Sequence, residues 1–512
     1  MSNEIIKHLS FGSEAREKVF NGIDKLYLAV SSTLGASGRC VLLEDGSGNP
    51  VVTKDGVTVA NAVTLIDPIE NMGATLLKQA ARKTVEEAGD GTTTATILAH
   101  AIIYEAQKIR GFSEREIKAG INSATSKVLK YLEDGAKDVS GDMLKHVATI
   151  SSNNDEEIGG IISSAFNASG KGGVVTMEIS RDESMSFEVI NGAAFDKPLK
   201  NFHFITNKET GACVLNNPLV LIVENKIENI RKIESILSYV IKSRRELLII
   251  GDTDEQVVSA LAMNKKNGNI KVNVVDAPDY GINRKEKMQD LAIITGATVI
   301  NEDLGDDMDL IQPEHLGECS RAISNKEETI LEVDEINEEV QGLIDLVKRQ
   351  IDETKFPGKK MQLEKRLAIL SCKVSVIKVG ANSEVELKEK SDRVEDAICA
   401  TRAAIKEGIL PGGGVALLNA SDKVKPSNDV EQALLRAIRK PYEVIMTNGE
   451  YDEIIYDKRT GYGVDVKTGK IVDMIKAGII DPLLVTKSAL KNAVSVATTI
   501  LSTNCVINNL RQ

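Results

Sequence analysis

Tryptophan is absent from the 512 residues, and aromatic residues of any kind make up only 4% of them. Without aromatic faces there is no platform on which successive bases or sugar rings could stack, so single-strand and carbohydrate binding lose their usual basis. Histidine is rare, and the six cysteines (Cys40, Cys213, Cys319, Cys372, Cys399, Cys505) are scattered with no Cys-x-x-Cys pair. That leaves no spacing for a zinc site or a disulfide framework and fits a reducing compartment. Positive charge is in deficit: 63 Lys and Arg against 75 Asp and Glu give a net charge of −12, which offers no general attraction for nucleic acid or anionic lipid. Any phosphate the chain binds must therefore meet a local site. No stretch reaches the roughly 18 uninterrupted apolar residues of a membrane span, and charges break up the apolar residues of the first twenty positions. The expectation is a protein without leader or anchor, cytoplasmic, with neither nucleic acid nor membrane as partner. Neither G-x-x-x-x-G-K-[ST] nor G-x-G-x-x-G occurs, so the P-loop and Rossmann readings also lose their main support.

What is present is a globular composition, 42% hydrophobic and 27% charged, with length for three or four domains. Residues 14 to 34 carry an amphipathic helical stripe (Val19, Ile23, Leu26, Val30), and Val51 to Val59 alternate around Asp55-Gly56, which predicts a hairpin. Residues 69 to 110 return to a helical period, interrupted at Gly89-Asp90-Gly91-Thr92-Thr93-Thr94. The middle changes rhythm: strands at 219–223, 247–250, 272–278 and 297–300 alternate with helices, the pattern of a parallel α/β domain. A charged helical hairpin broken at Phe356-Pro357-Gly358 is expected over 335–370, then a helix over 391–408 ending near Pro411-Gly412-Gly413-Gly414. The last hundred residues are again Ala/Val/Ile-rich and helical. The two ends are thus expected to form one helical domain, with the α/β domain inserted.

Four segments are candidates for chemistry. In GDGTTTA, Gly91 permits close backbone approach, Thr92 to Thr94 offer N–H and hydroxyl donors at a helix N-terminus, and Asp90 is suited to the Mg2+ of a bound phosphate. The same letters also describe an Asp-Gly turn with a Thr cap. Lys54-Asp55-Gly56 reads as a plain hairpin turn or as a lysine and a carboxylate facing phosphate. Thr33-Leu34-Gly35 reads as a helix C-cap, and Asp396, taken alone, as a solvated helix residue.

Taken together and in order, Thr53-Lys54-Asp55-Gly56-Val57, Glu70-Asn71-Met72-Gly73-Ala74, Ala88 to Ala95, Arg393-Val394-Glu395-Asp396-Ala397, Ala400 to Ala404 and Gly412 to Leu417 resemble the group I chaperonins, the GroEL family, over nearly the whole chain. The resemblance implies a multidomain α+β/α chaperonin fold. It comprises a mostly helical equatorial ATPase domain (1–135 and 409–512), a small α/β intermediate domain (136–191 and 374–408) and an α/β apical polypeptide-binding domain (192–373). It implies an ATP-dependent chaperone that folds non-native polypeptides in a homo-oligomeric ring, seven-membered and single or double, with a co-chaperonin lid. The alternative is a structural or holding ring without a productive folding cycle. Around ATP the family pattern puts Thr33, Leu34, Gly35, Ala36, Lys54, Asp90, Gly91, Thr92, Thr93, Thr94, Gly413 and Asp481, with Asp465, Val466 and Lys467 near the base. Asp90 is then the Mg2+ ligand, Thr33 and Thr93 the K+ site, and Asp55 and Asp396 the catalytic carboxylates. A hydrophobic groove for client chains is implied at Leu199, Phe202, His203, Phe204, Ile233, Ile236, Leu237, Val257, Val258, Leu261 and Met263, although Ile233, Ile236 and Leu237 read equally well as core. The chain departs from the family at its upper hinge, where Cys372-Lys373 replaces a glycine pair while Gly192 is retained, and at Glu234 and Ala262, which stand at usually apolar positions.

Overall fold

The computed structural model describes residues 7–509 apart from 45–47, 49, 140–141, 171–173, 181–182, 208–210, 279–280, 327, 334–337, 355–358, 360–362, 364–365, 368–369 and 371–372. The chain opens with β1 (Lys7–Phe11), α1 (Gly12–Ser31), β2 (Val41–Glu44), β3 (Pro50–Thr53), α2 (Gly56–Ala62), α3 (Pro68–Ala88), α4 (Thr92–Gln107), α5 (Glu114–Gly135), α6 (Met143–Ser151) and α7 (Glu156–Ser169). Its middle holds β4 (Val174–Ile179), β5 (Ser186–Phe195), β6 (Cys213–Asn216), β7 (Leu219–Val223), α8 (Glu234–Ser243), β8 (Leu247–Ile250), α9 (Glu255–Lys266), β9 (Val272–Val275), α10 (Gly281–Thr295), β10 (Val299–Ile300), β11 (Gly317–Glu318), β12 (Arg321–Ser324), β13 (Thr329–Val333), α11 (Glu338–Glu353) and β14 (Lys373–Val379). It returns through α12 (Glu384–Glu407), β15 (Ile409–Pro411), α13 (Val415–Lys423), α14 (Asp429–Ala437), α15 (Lys440–Asn448), β16 (Tyr462–Asp465), β17 (Lys470–Asp473), β18 (Ile480–Pro482), α16 (Leu483–Leu501) and β19 (Cys505–Asn509). These elements form two compact units, one of Met1–Ser163, Ile179–Met185 and Val379–Gln512, the other of Ser164–Glu178 and Ser186–Lys378.

The first unit is built from both ends of the chain. Val19, Ile23, Leu26 and Val30 line one face of α1 and are all buried, each such side chain contributing about 1.5–3 kcal/mol of burial. Helix α3 starts where the Asp67 carboxylate accepts the Ile69 N–H at 2.7 Å with Pro68 in the first turn, a cap that satisfies a donor the helix itself cannot. It stops at Gly89, whose φ of +71° only glycine adopts readily. Helix α16 packs on α3, α4 and α5, and β1 pairs antiparallel with β19, Lys7 opposite Asn509.

The predicted hairpin at Asp55-Gly56 is not formed. Strand β3 stops at Thr53 and pairs backwards with β2, while Asp55 becomes the N-cap of α2: its carboxylate accepts Val57 N–H at 3.0 Å, Thr58 N–H at 2.7 Å and the Thr58 hydroxyl at 2.6 Å. Local side-chain capping wins over the alternating pattern, because an Asp two to three residues ahead of free N–H groups satisfies them without a partner strand.

In the second unit β10, β7, β8 and β9 run parallel in that order, with β11 antiparallel on β7. β7 and β8 are buried at every position, as strands covered on both faces must be; Asn273 in β9 is satisfied by donating to the Ser324 hydroxyl at 2.8 Å. A six-stranded sheet, β4-β14-β5-β13-β12-β6, completes the unit. The limit expected at 191/192 falls inside β5, where Gly192 lies opposite Glu332 and a Cβ would stand 2.3 Å from the Leu331 carbonyl oxygen. Gly192 is therefore required by close strand packing. Of the expected helical hairpin, α11 is formed; its break at Phe356-Pro357-Gly358, like Cys372 of the hinge pair, lies outside the described residues.

Candidate functional site

A cleft of about 470 Å³ opens within the first unit. It is lined by Thr33, Leu34, Gly35 and Ala36 after α1, by Lys54 and Asp55 before α2, by Asp90 to Thr94 at the start of α4, by Asp396 on α12, and by Gly413, Asp465, Val466, Lys467 and Asp481. Every residue that the resemblance placed around a nucleotide thus reaches one cavity.

One end of the cleft is built by the turn from α3 to α4. Gly91 is the N-cap of α4 at φ +91°, with no side-chain cap, and a Cβ there would lie 2.7 Å from Val485 Cγ1. The first N–H groups of α4 therefore face the cleft with the positive end of the helix dipole behind them. Gly56 lets α2 come against α4, since a Cβ would meet Thr93 Oγ1 at 2.3 Å. At the far side the Gly412-Gly413-Gly414 turn starts α13, with Gly413 and Gly414 at positive φ. Their N–H groups donate to the Asp481 carboxylate.

Electrostatics set this end apart. Burial pushes Asp396 well above the usual carboxylate range, and the charges of Asp90 and Asp55 push it further. Burial also raises Asp90, against the pull of the Gly91 N–H and with a further push from Asp55. Asp481 is pushed up to about 7 by burial and then by Asp90, despite the Gly414 and Gly413 N–H bonds. These side chains keep part of their surface open to the cleft, so their burial is that of a cavity wall. Carboxylates held at such mutual cost are restored to their charged form by a cation, and the donor chemistry therefore fits a divalent ion at Asp90. Among the described residues no group of three or more His, Cys, Asp or Glu is arranged to hold a metal alone; a Mg2+ at Asp90 would complete its shell with phosphate oxygens, as this ion commonly does.

The cleft is also lined by His146, Thr149 to Ser151, Asn153, Asn154, Glu389 and Asp392, which the sequence motifs do not include, and by Arg393, which they include without a role at the site. Asn153 and Asn154 both take left-handed conformations, at φ 66° and 65°, and the Asn-Asn pair was the available signal, since asparagine tolerates that region best after glycine. Arg393 stands one helical turn before Asp396 and so shares its face.

The expected groove is corrected by burial in the second unit. Phe204, Ile233, Ile236, Val257, Val258 and Leu261 are core residues of that unit, and Leu199 and Leu237 are half-buried against the same core. Phe202, His203 and Met263 are exposed. The reason is local: the Asn201 side chain caps a short 3-10 turn, its Oδ1 accepting the His203 N–H, which points Phe202 outward at 70% exposure and turns Phe204 inward at 0%. Helix α9 presents Val257, Val258, Leu261 and Ala262 inward and leaves Met263 outside. Glu234 is exposed at the start of α8.

The sequence pattern of the TCP-1/cpn60 chaperonin family matches residues 26–511. Among solved structures the chain is similar to the chaperonin gp146 from the bacteriophage EL 2 (Pseudomonas aeruginosa), crystallised in the presence of ATP-BeFx. Against crystal form II the identity is 22% and the TM-score 0.73, over 98% of this chain and 99% of that one. Against crystal form I the TM-score is 0.66 at the same identity and coverage. At that identity the likeness is one of fold. No helix among the described residues is long and apolar enough to cross a membrane.

Proposed function

The chain belongs to the TCP-1/cpn60 chaperonin family, and on that premise we propose that it is an ATP-driven chaperone whose first unit hydrolyses ATP and whose second unit holds non-native polypeptides. The observation that carries the ATPase reading is the meeting of Asp55, Asp90 and Asp396, from three distant parts of the chain, at the uncapped start of α4. The N–H groups of Thr92, Thr93 and Thr94 bind the phosphates, and Lys54 offsets their charge. A Mg2+ at Asp90 would neutralise charge on the phosphate oxygens, and a K+ would sit among the oxygens near Thr33 and Thr93. Asp396, with its raised proton affinity, orients a water and takes its proton. As the water oxygen bonds to the terminal phosphorus, the bond from that phosphorus to the bridging oxygen breaks, leaving ADP and phosphate. Asp55, committed to capping α2, acts by fixing that helix start and by its charge. Asp465, Val466 and Lys467 enclose the base, and Asp481 holds the Gly413 turn beside it.

The division into equatorial, intermediate and apical domains at the limits given above is part of this reading, as is a ring of identical subunits. Two ribbons of the first unit support the ring. β1–β19 exposes Leu9, Phe11 and Ile507, and β2–β3 exposes Leu42 and Val52. Two-stranded ribbons are marginal alone and present unpaired edges, a demand that strand pairing with a second copy satisfies. Client chains are proposed to bind at Phe202, His203 and Met263 with the half-buried Leu199 and Leu237, and a lid protein to compete there.

The test is phosphate release by the purified protein with and without Mg2+, beside nucleotide binding. Asp396→Ala is expected to bind ATP and to hydrolyse it about two orders of magnitude more slowly. Parental turnover in that variant would refute the assignment.

A further inference from the structure

The cleft carries more negative than positive charge. Asp55, Asp90, Asp396, Asp465, Asp481, Glu389 and Asp392 face it, against Lys54, Lys467 and Arg393 among the described residues. On α12 in particular, Asp396 shares its cleft-facing surface with Glu389 and Asp392, and Arg393 is the one cation that this helix contributes to the lining. A polyphosphate approaching α12 would meet repulsion unless Arg393 turned toward it.

Arg393 is already held in a way that makes such a turn reversible. Its Nε donates to Glu389 Oε1 at 2.7 Å, its other arm also reaches Glu389, and its Nη1 stands 3.5 Å from Asp155 Oδ2. Asp155 in turn caps α7 through the Glu157 and Ile158 N–H groups and follows directly on the left-handed pair Asn153-Asn154, which also lines the cleft. The Arg393 side chain is 31% exposed, so it is neither sealed in nor lost to solvent.

We propose that Arg393 is the residue that tells ATP from ADP. It exchanges its carboxylate partners Glu389 and Asp155 for the terminal phosphate, while Asp396, one turn further along the same helix face, meets the attacking water. An Arg fork is suited to this exchange because carboxylate and phosphate present the same paired oxygens to it. ADP lacks the oxygens that would draw it away from Glu389, so the arginine stays where it is. This inference rests on the ATPase reading of the same cleft.

The experiment measures affinities for ATP and ADP, with Mg2+ present, by calorimetry on the parental protein, Arg393→Gln and Glu389→Gln, each carrying Asp396→Ala so that ATP is not turned over during the titration. Arg393→Gln is expected to weaken ATP about tenfold or more and to leave ADP within about twofold. Glu389→Gln, which frees the arginine, is expected to tighten ATP about threefold relative to ADP. Opposite effects of the two variants on the ATP-to-ADP ratio establish the exchange. If both variants shift ATP and ADP affinity together, or lower only the melting temperature, Arg393 merely ties α12 down and the inference falls while the ATPase reading stands. If the parental protein binds neither nucleotide, both fall.

Discussion

The hydroxyl oxygens of Thr33 and Thr93 lie 3.4 Å apart, although one follows the end of α1 and the other belongs to the first turn of α4. Thr33 donates its only hydroxyl proton to the Val30 carbonyl at 2.9 Å, so toward Thr93 it presents lone pairs alone. Two oxygens offering lone pairs across such a gap suit a monovalent cation as well as a hydrogen bond.

Thr93→Val should therefore remove stimulation by K+ and leave Mg2+-dependent hydrolysis measurable. Phosphate release titrated with K+ against Na+ checks this. A K+ response unchanged in the variant would place the cation elsewhere.

Burial raises the Glu431 carboxyl, but hydrogen bonds from the Lys127 ammonium, the Ser427 N–H and the Ser123 hydroxyl outweigh it and bring the group to about 2, against an ordinary 4.5. A folded value below the unfolded one stabilises the protein above about pH 4.5, and the contribution is lost as pH falls through about 2. Allowing for screening at the half-exposed Lys127, the contribution is about 2 kcal/mol at neutral pH. Glu431→Gln should be less stable than the parent by that amount at pH 7, with the difference closing toward pH 2. Denaturant unfolding of both proteins across that range is the measurement, and a difference that does not vary with pH would contradict it.

Phe202 and Phe204 make a matched pair, two residues apart and on opposite sides of the surface. Phe202→Glu should leave stability within about 0.5 kcal/mol and weaken suppression of client aggregation, with ATP hydrolysis intact. Phe204→Glu buries an unpaired charge and should cost about 3–5 kcal/mol or prevent folding. Thermal unfolding and light scattering of an aggregating client separate the two. Equal stability in both variants would mean that the turn at Asn201 is not what orients them.

Leu42→Glu with Val52→Glu places charges on the outer face of the β2–β3 ribbon, at two exposed residues that do not line the cleft. Sedimentation velocity should show assembly lost or shifted to higher protein concentration, with the fold of the subunit unchanged by circular dichroism. Unaltered sedimentation would remove this ribbon from the contact.

The strand and helix rhythm of the middle segment and the glycine-threonine turn were legible in the sequence, because both depend on residues adjacent in the chain. LVLIV and LLII are short apolar runs that the surrounding alternation marks as buried strands, and GDGTTTA starts a helix at Gly91, which takes a φ of +91°. Asp55 misled, because alternation and capping compete over the same residues and one carboxylate decided between them. Phe204 misled for a related reason: in a three-residue turn neither helical nor strand periodicity says which side chain points inward. Arg393 was readable as a helix residue near Asp396, but its role depends on Asp155 and Glu389 and on a cleft assembled from both halves of the chain.

The pairing of β1 with β19 and the packing of α16 on α3, α4 and α5 bear on how the protein is made. On the ribosome, the strands and helices of the second unit all emerge before α12 begins, so that unit can close while synthesis continues. Helices α1 to α5 must wait for α16, whose Leu490, Ala493 and Ala497 fill the middle of their core. At about 5–20 residues per second the delay is on the order of tens of seconds, during which an apolar helical surface stands open. A nascent chain of this family is thus itself a non-native polypeptide for longest in the unit that holds the cleft. Arresting translation just before α16 should leave the α/β unit protease-resistant and the helical one cleaved.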